Sequence, residues 1–191
     1  MASRAPDPGW GFWGRWLAAT TIGWVVGAVS AIVLSYLVVN LVYPKTTNLI
    51  VGVCMGAAVG LSQKIAARRW LSLSHAWTRG AAIGLGIPFV LGVLADELRP
   101  FGVRLPEDGP FGVLLVGVGG GLIAGLLQVR VLRPHTSRAG AWAWASVLSW
   151  GLAWLSTTLG GPVGLLGGVV LGAASGGLLV WLLKSPAAEA A

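Results

Sequence analysis

The stretch GVCMGAAVGLSQKIAARRW, at Gly52–Trp70, recurs 65 residues later as GVGGGLIAGLLQVRVLRPH, at Gly117–His135. Both copies are apolar, carry glycine at every fourth position and end in basic residues. Identical positions under this shift include Gly52, Gly56, Gly60, Leu61, Gln63, Arg68, Trp77 and Gly86, which pair with Gly117, Gly121, Gly125, Leu126, Gln128, Arg133, Trp142 and Gly151. Self-similarity at a fixed period predicts a repeat architecture.

A fainter third copy lies 51 residues beyond the second. Its matches are Gly121 with Gly172, Gly125 with Gly176 and Arg133 with Lys184, whereas Leu179 takes the place of the glutamine. Each glycine-rich helix also follows a helix that begins with tryptophan. We therefore predict one transmembrane domain over residues 1–191, built from hairpin repeats at about 14–68, 76–133 and 139–184. Three hairpins inserted in the same sense predict a pseudo-threefold bundle about the membrane normal, with an open row as the alternative.

The composition assigns most of the chain to a bilayer. Only 10% of the 191 residues are charged and 55% are hydrophobic, whereas about 25% are charged in a typical soluble domain. A helix needs about 20 largely apolar residues to cross a bilayer core. The sequence therefore predicts an all-α protein with six transmembrane helices. The predicted spans are Trp16 to Val42, Thr47 to Ala67, Trp77 to Ala95, Phe111 to Val131, and two between Ala139 and Leu183, divided by a GGP turn at Gly160–Pro162.

The basic residues are distributed unevenly between the two predicted sides. One side holds Arg4, Arg15, Lys64, Arg68, Arg69, Arg79, Arg130, Arg133, Arg138 and Lys184, and the other holds Lys45, Arg99 and Arg104. Cytoplasmic loops of membrane proteins carry the excess of lysine and arginine. We predict a protein of the inner membrane with both termini in the cytoplasm.

Tryptophan concentrates at the same predicted edge. The set consists of Trp10, Trp13, Trp16, Trp70, Trp77, Trp142, Trp144 and Trp181, whereas Trp24, Trp150 and Trp154 lie deeper. Indole rings favour the headgroup boundary, so this pattern predicts a belt that contacts lipid. The net charge of +7 then indicates anionic headgroups as partners rather than nucleic acid, because the cations lie in short loops beside apolar spans.

Glycine ladders are the main candidate packing sites. They are Gly52, Gly56 and Gly60, then Gly117, Gly121 and Gly125, and then Gly168, Gly172 and Gly176. Residues four apart share one helix face, and small residues there let another backbone approach closely. Gln63 and Gln128, each three residues after a ladder glycine, are candidates to brace two helices by amide hydrogen bonds.

The sequence offers little for catalysis. His75 and His135 lie on the predicted cytoplasmic side, and the carboxylates of Asp96 and Glu97 lie across the bilayer from them. Cys54 is the only cysteine, which excludes an intrachain disulfide and a CxxC metal site. We expect no catalytic residue, no cofactor and no metal, and hence a protein that is not an enzyme.

The paired motifs GLSQKIAARRW…AW and GLLQVRVLRPH…AWAWAS…W resemble those of small, uncharacterised bacterial multi-pass membrane proteins. The resemblance implies a location and a fold, and it implies no activity. The hypothesis favoured by the sequence is a non-enzymatic accessory or scaffold protein that packs against other membrane components or a second copy. A small transporter or channel for a weakly charged solute is the alternative.

Overall fold

Six α-helices account for most of the chain in the computed structural model, which describes residues 8–39, 46–101, 109–159, 164 and 166–184. The described residues contain no β-strand. The helices are α1 (Trp10–Val39), α2 (Thr46–Ala67), α3 (His75–Leu98), α4 (Gly109–Leu132), α5 (Ala141–Thr157) and α6 (Gly167–Leu183). A short 3-10 turn, Arg99–Phe101, follows α3.

Four of these helices are long and apolar enough to cross a membrane. The qualifying segments are Trp10–Val38, Thr47–Ala67, His75–Ala95 and Leu114–Leu132. The prediction of an all-helical protein with membrane-spanning helices is confirmed to that extent. By contrast, α5 and α6 have 17 residues each, so each rises about 26 Å, at the lower limit for crossing a core of about 30 Å.

The first helix begins earlier than the apolar pattern predicts. We expected it to start near Trp16, where the last charge has been passed, but α1 begins at Trp10. Packing explains the difference, since Phe12 is buried and the Trp13 indole donates to the carbonyl of Ala173 on α6 at 3.1 Å. The charge of Arg15 is accommodated because its side chain remains exposed.

The helices form a closed ring. Each helix packs against the next one in sequence, and α6 packs against α1. The α3 helix continues through Pro88. Three connections lie outside the described residues, namely the predicted GGP turn at Gly160–Pro162, residues 40–45 and residues 102–108.

Candidate functional site

The ladder on α2 faces α3. A Cβ atom added at Gly52 or Gly56 would clash with the carbonyl of Leu85 or Ala81, respectively, and one at Gly60 would lie 3.0 Å from the Thr78 Cα. Even a methyl group is therefore excluded unless the backbones move apart. The glycines are what allows α2 and α3 to approach this closely.

The other two ladders make equivalent contacts. On α4, a Cβ at Gly117, Gly121 or Gly125 would come within 2.9 Å of α5. On α6, a Cβ at Gly168 would lie 3.0 Å from the Thr21 Cα, and one at Gly172 would lie equally close to the Leu17 Cα, both on α1. Each ladder thus packs on the next odd-numbered helix within the same chain.

The odd-numbered helices place three tryptophans at the centre of the ring. Trp16, Trp77 and Trp142 are each at most 2% exposed, and we call them the tryptophan triad. The ring centroids of Trp77 lie 5.9 Å from Trp16 and 5.3 Å from Trp142. Edge-on and tilted contacts at these distances are favourable for aromatic rings.

The burial of the triad corrects the predicted lipid belt. Trp16, Trp77 and Trp142 contact protein on all sides, so the prediction that they contact lipid is wrong. An indole is satisfied either at the headgroup boundary or in an interior that offers a hydrogen-bond acceptor, and composition alone does not distinguish the two. Among the predicted belt residues, Trp10, Trp144 and Trp181 are exposed, by 84%, 71% and 50%.

The acceptors for the triad come from the even-numbered helices. The Trp77 Nε1 donates to Gln63 Oε1 at 3.2 Å, and the Trp142 Nε1 donates to Gln128 Oε1 at 2.9 Å. Each glutamine amide also donates onward, Gln63 to the Thr20 Oγ1 and Gln128 to the carbonyl of Trp77, both at 3.3 Å. Gln63 therefore links α1, α2 and α3, and Gln128 links α3, α4 and α5.

On α6 a serine takes the part that glutamine has on α2 and α4. The Trp16 Nε1 donates to the Ser175 Oγ at 2.9 Å, and Ser175 in turn donates to the carbonyl of Leu171. Ser175 lies one helical turn before Leu179, which occupies the glutamine position of the predicted repeat. Sequence comparison of the repeats missed Ser175, because the acceptor moves by four residues along the same helix face.

A second aromatic layer lies further along the ring axis. Trp24 contacts Trp150 and Trp154 with ring centroids 6.2 and 6.0 Å apart, and Phe89 lies 6.0 Å from Trp154. Trp24 and Trp150 share a buried cluster with Leu85. Large side chains therefore fill the interior at both levels.

Two buried hydroxyls on α5 have no hydrogen-bond partner among the described residues. Ser146 and Ser149 are at most 2% exposed, and the Oγ atom of each is unpaired. They lie between the levels of Trp142 and Trp150. Buried polar groups of this kind are uncommon, since desolvation costs about 1 to 3 kcal/mol without a partner.

One end of the ring, which we call the basic end, carries a cluster of cations. Its members in the described residues are Arg15, Lys64, Arg68, Arg69, Arg79, Arg130, Arg133, Arg138 and Lys184. Two of the guanidinium groups lie over indole rings, Arg15 over Trp70 at 5.6 Å and Arg138 over Trp181 at 4.9 Å. Asp96 and Glu97, the only carboxylate residues described, lie near the opposite end of α3.

The remaining chemically reactive side chains are scattered. At the basic end, the Lys64 Nζ lies 3.2 Å from the His75 Nδ1. Cys54 lies half-buried on α2. Within the described residues, no three side chains of histidine, cysteine, aspartate or glutamate are grouped to hold a metal ion.

The comparisons with known proteins return no relative. No protein-family model, curated protein or solved structure matches this chain.

Proposed function

We propose that this chain is a non-enzymatic integral membrane protein that acts as an accessory or scaffold subunit in the inner membrane, with both termini in the cytoplasm. One observation carries the proposal. The ladders on α2, α4 and α6 and the indole bonds of the triad are all occupied in holding the chain's own helices together. A rigid interior of this kind leaves the outer surface and the basic end for contacts with other components.

The proposed architecture is three two-helix hairpins related by a pseudo-threefold axis along the membrane normal. Its support is the recurrence of one contact pattern, because Trp77 and Trp142 each lie 14 residues after the glutamine that accepts from them. Each ladder also packs on the odd-numbered helix that follows it around the ring. In this arrangement α5 and α6 cross the bilayer despite having only 17 residues each.

The outer surface supports a role in the membrane because it is apolar on every helix. Examples, one from each helix in order, are Ile22, Leu61, Leu91, Leu126, Leu148 and Val169. Exposed aliphatic residues in this number suit acyl chains and other transmembrane helices equally well. The proposed partners are therefore lipids, other membrane proteins or a second copy of the chain.

Site-specific photocrosslinking in cells tests the scaffold role. A photoreactive residue at exposed Leu91 is expected to give discrete protein adducts, whereas one at fully buried Leu179 should give none to other chains. Scanning the exposed positions of all six helices completes the test. If every exposed position labels lipid alone, and the protein is recovered from mild detergent only as an isolated monomer, the scaffold role is wrong.

The alternative function is transport of a small, weakly charged solute. The observation in its favour is the pair of unpaired hydroxyls on Ser146 and Ser149 in the ring interior. Against it, the tryptophan triad and the layer around Trp24 fill the centre with indole rings, and the indole N–H groups of the triad are already hydrogen-bonded within the chain. Solute flux into liposomes containing the purified chain, lost in Ser149→Val, would favour transport over scaffolding.

A further inference from the structure

The segment between α4 and α5 is fastened to the end of α6. Thr136 is 1% exposed, and its hydroxyl donates to the carbonyl of Leu182 at 2.7 Å. The backbone N–H of Arg138 donates to the same hydroxyl oxygen at 3.2 Å. One buried side chain therefore fixes the position of Arg138 relative to the last turn of α6.

These hydrogen bonds place the Arg138 side chain over the ring of Trp181. Its guanidinium carbon lies 4.9 Å from the centre of the Trp181 ring, which is half exposed. A cation over an indole face is stabilised by the ring quadrupole. The planar guanidinium also carries five N–H donors in a fixed fork, a geometry suited to two oxygens of one phosphate.

The surroundings favour an anion of lipid origin. The described residues of the basic end contain no carboxylate that could neutralise Arg138. Trp144, on the neighbouring helix α5, is 71% exposed near the same end, and exposed indoles favour the headgroup level of a bilayer. Below these rings the outer faces of α5 and α6 expose Leu148, Leu152 and Val169, which suit acyl chains.

We infer that Arg138, held by Thr136 and Trp181, is a binding site for the phosphate of an anionic phospholipid. The guanidinium binds the phosphate oxygens, and the acyl chains lie along α5 and α6. This inference rests on the proposed orientation of the basic end toward an anionic leaflet, and it names the lipid partner of that end. Of the two cations of this end that lie over an indole ring, Arg138 makes the closer contact, 4.9 Å against 5.6 Å for Arg15.

A lipid titration of the purified full-length chain tests the site. Short-chain fluorescent phosphatidylglycerol is added in detergent, and the dissociation constant is measured for the unmodified chain, Arg138→Gln and Arg79→Gln. Arg79 is an exposed cation of the same end, so it controls for net charge. Removing one surface cation is expected to weaken binding about fivefold, whereas Arg138→Gln should weaken it more than tenfold, because a charge-assisted hydrogen bond is lost as well.

Further variants and a competitor separate the site from general charge. Arg138→Lys keeps the charge but loses the planar guanidinium, and Trp181→Leu removes the indole ring under it, so each is expected to weaken phosphatidylglycerol binding severalfold. Equal losses for Arg138→Gln and Arg79→Gln would overturn the site. Displacement of the lipid by millimolar inorganic phosphate would overturn the lipid assignment. Photocrosslinking to protein partners is independent of these results, so the site and the scaffold role can fail separately.

Discussion

The indole N–H of Trp77 on α3 donates to the side-chain oxygen of Gln63 on α2 across 3.2 Å of buried interior. Replacing Gln63 with leucine leaves the Trp77 N–H and the Thr20 hydroxyl without this partner. We expect a loss of about 1 to 3 kcal/mol, the cost of an unsatisfied buried polar group. The measurement is thermal unfolding in detergent for Gln63→Leu, Trp77→Phe and the double variant. If the double variant loses as much stability as the two single variants lose together, the hydrogen bond contributes nothing.

Ser175→Ala removes the acceptor for Trp16, so it should lower the melting temperature in the same assay. Adding Leu179→Gln introduces the amide found at the matching position of the other two proposed hairpins. Partial recovery of stability in the double variant is the expected result, because the new side chain can accept from Trp16 as Gln63 accepts from Trp77. A double variant less stable than Ser175→Ala alone would contradict the proposed equivalence of the three hairpins.

Gly121→Leu should destabilise the bundle strongly, because a Cβ there would already lie 2.9 Å from the carbonyl oxygen of Ser146. Overpacking typically costs about 1 to 3 kcal/mol. The matched control is Gly119→Leu, two residues away on α4, where the nearest atom to an added Cβ is the Pro88 Cγ at 4.0 Å. The comparison uses thermal aggregation of the two variants. Similar stability for both would mean that the ladder does not pack as described.

Brominated lipids should quench the fluorescence of the exposed indoles and spare the triad. We therefore expect the quenched fraction to fall in Trp144→Phe and Trp181→Phe, which remove exposed rings, and to rise slightly in Trp77→Phe, which removes a buried one. The readout is fluorescence of the protein reconstituted in liposomes with and without brominated acyl chains. If brominated lipids quenched the unmodified chain strongly and this quenching were lost in Trp77→Phe, Trp77 would contact lipid as the sequence predicted.

Reporter fusions test the orientation. A reporter active only in the cytoplasm should be active at both termini, because ten of the basic residues fall on that predicted side and three on the other. A second kind of reporter, which is active only outside the cytoplasm, should be active when it is inserted after Phe101. An externally active carboxyl-terminal fusion would reverse the topology and with it the leaflet proposed for the Arg138 site.

The apolar pattern predicted the existence of the helices well, and it predicted their surroundings poorly. Glycine spacing alone indicated that Gly56 and Gly121 lie on packing faces, but it could not say that α3 and α5 are the partners, since any helix gains from a small-residue face. The burial of Trp77 was harder to predict because tryptophan has the same amphipathic character in both environments. A signal was present all the same, since Gln63 and Gln128 each precede a tryptophan by 14 residues.

The contact of α1 with α6 has a consequence for biosynthesis. Leu17 packs on Gly172, which the ribosome adds 155 residues later (172 − 17 = 155). The face of α1 that includes Leu17 and Trp16 therefore enters the bilayer with its partner helix still unmade. The Trp16 indole N–H therefore lacks its acceptor, the Ser175 hydroxyl on α6, until α6 has been made. Early hairpins can assemble as they emerge, but closure of the ring is necessarily the final step.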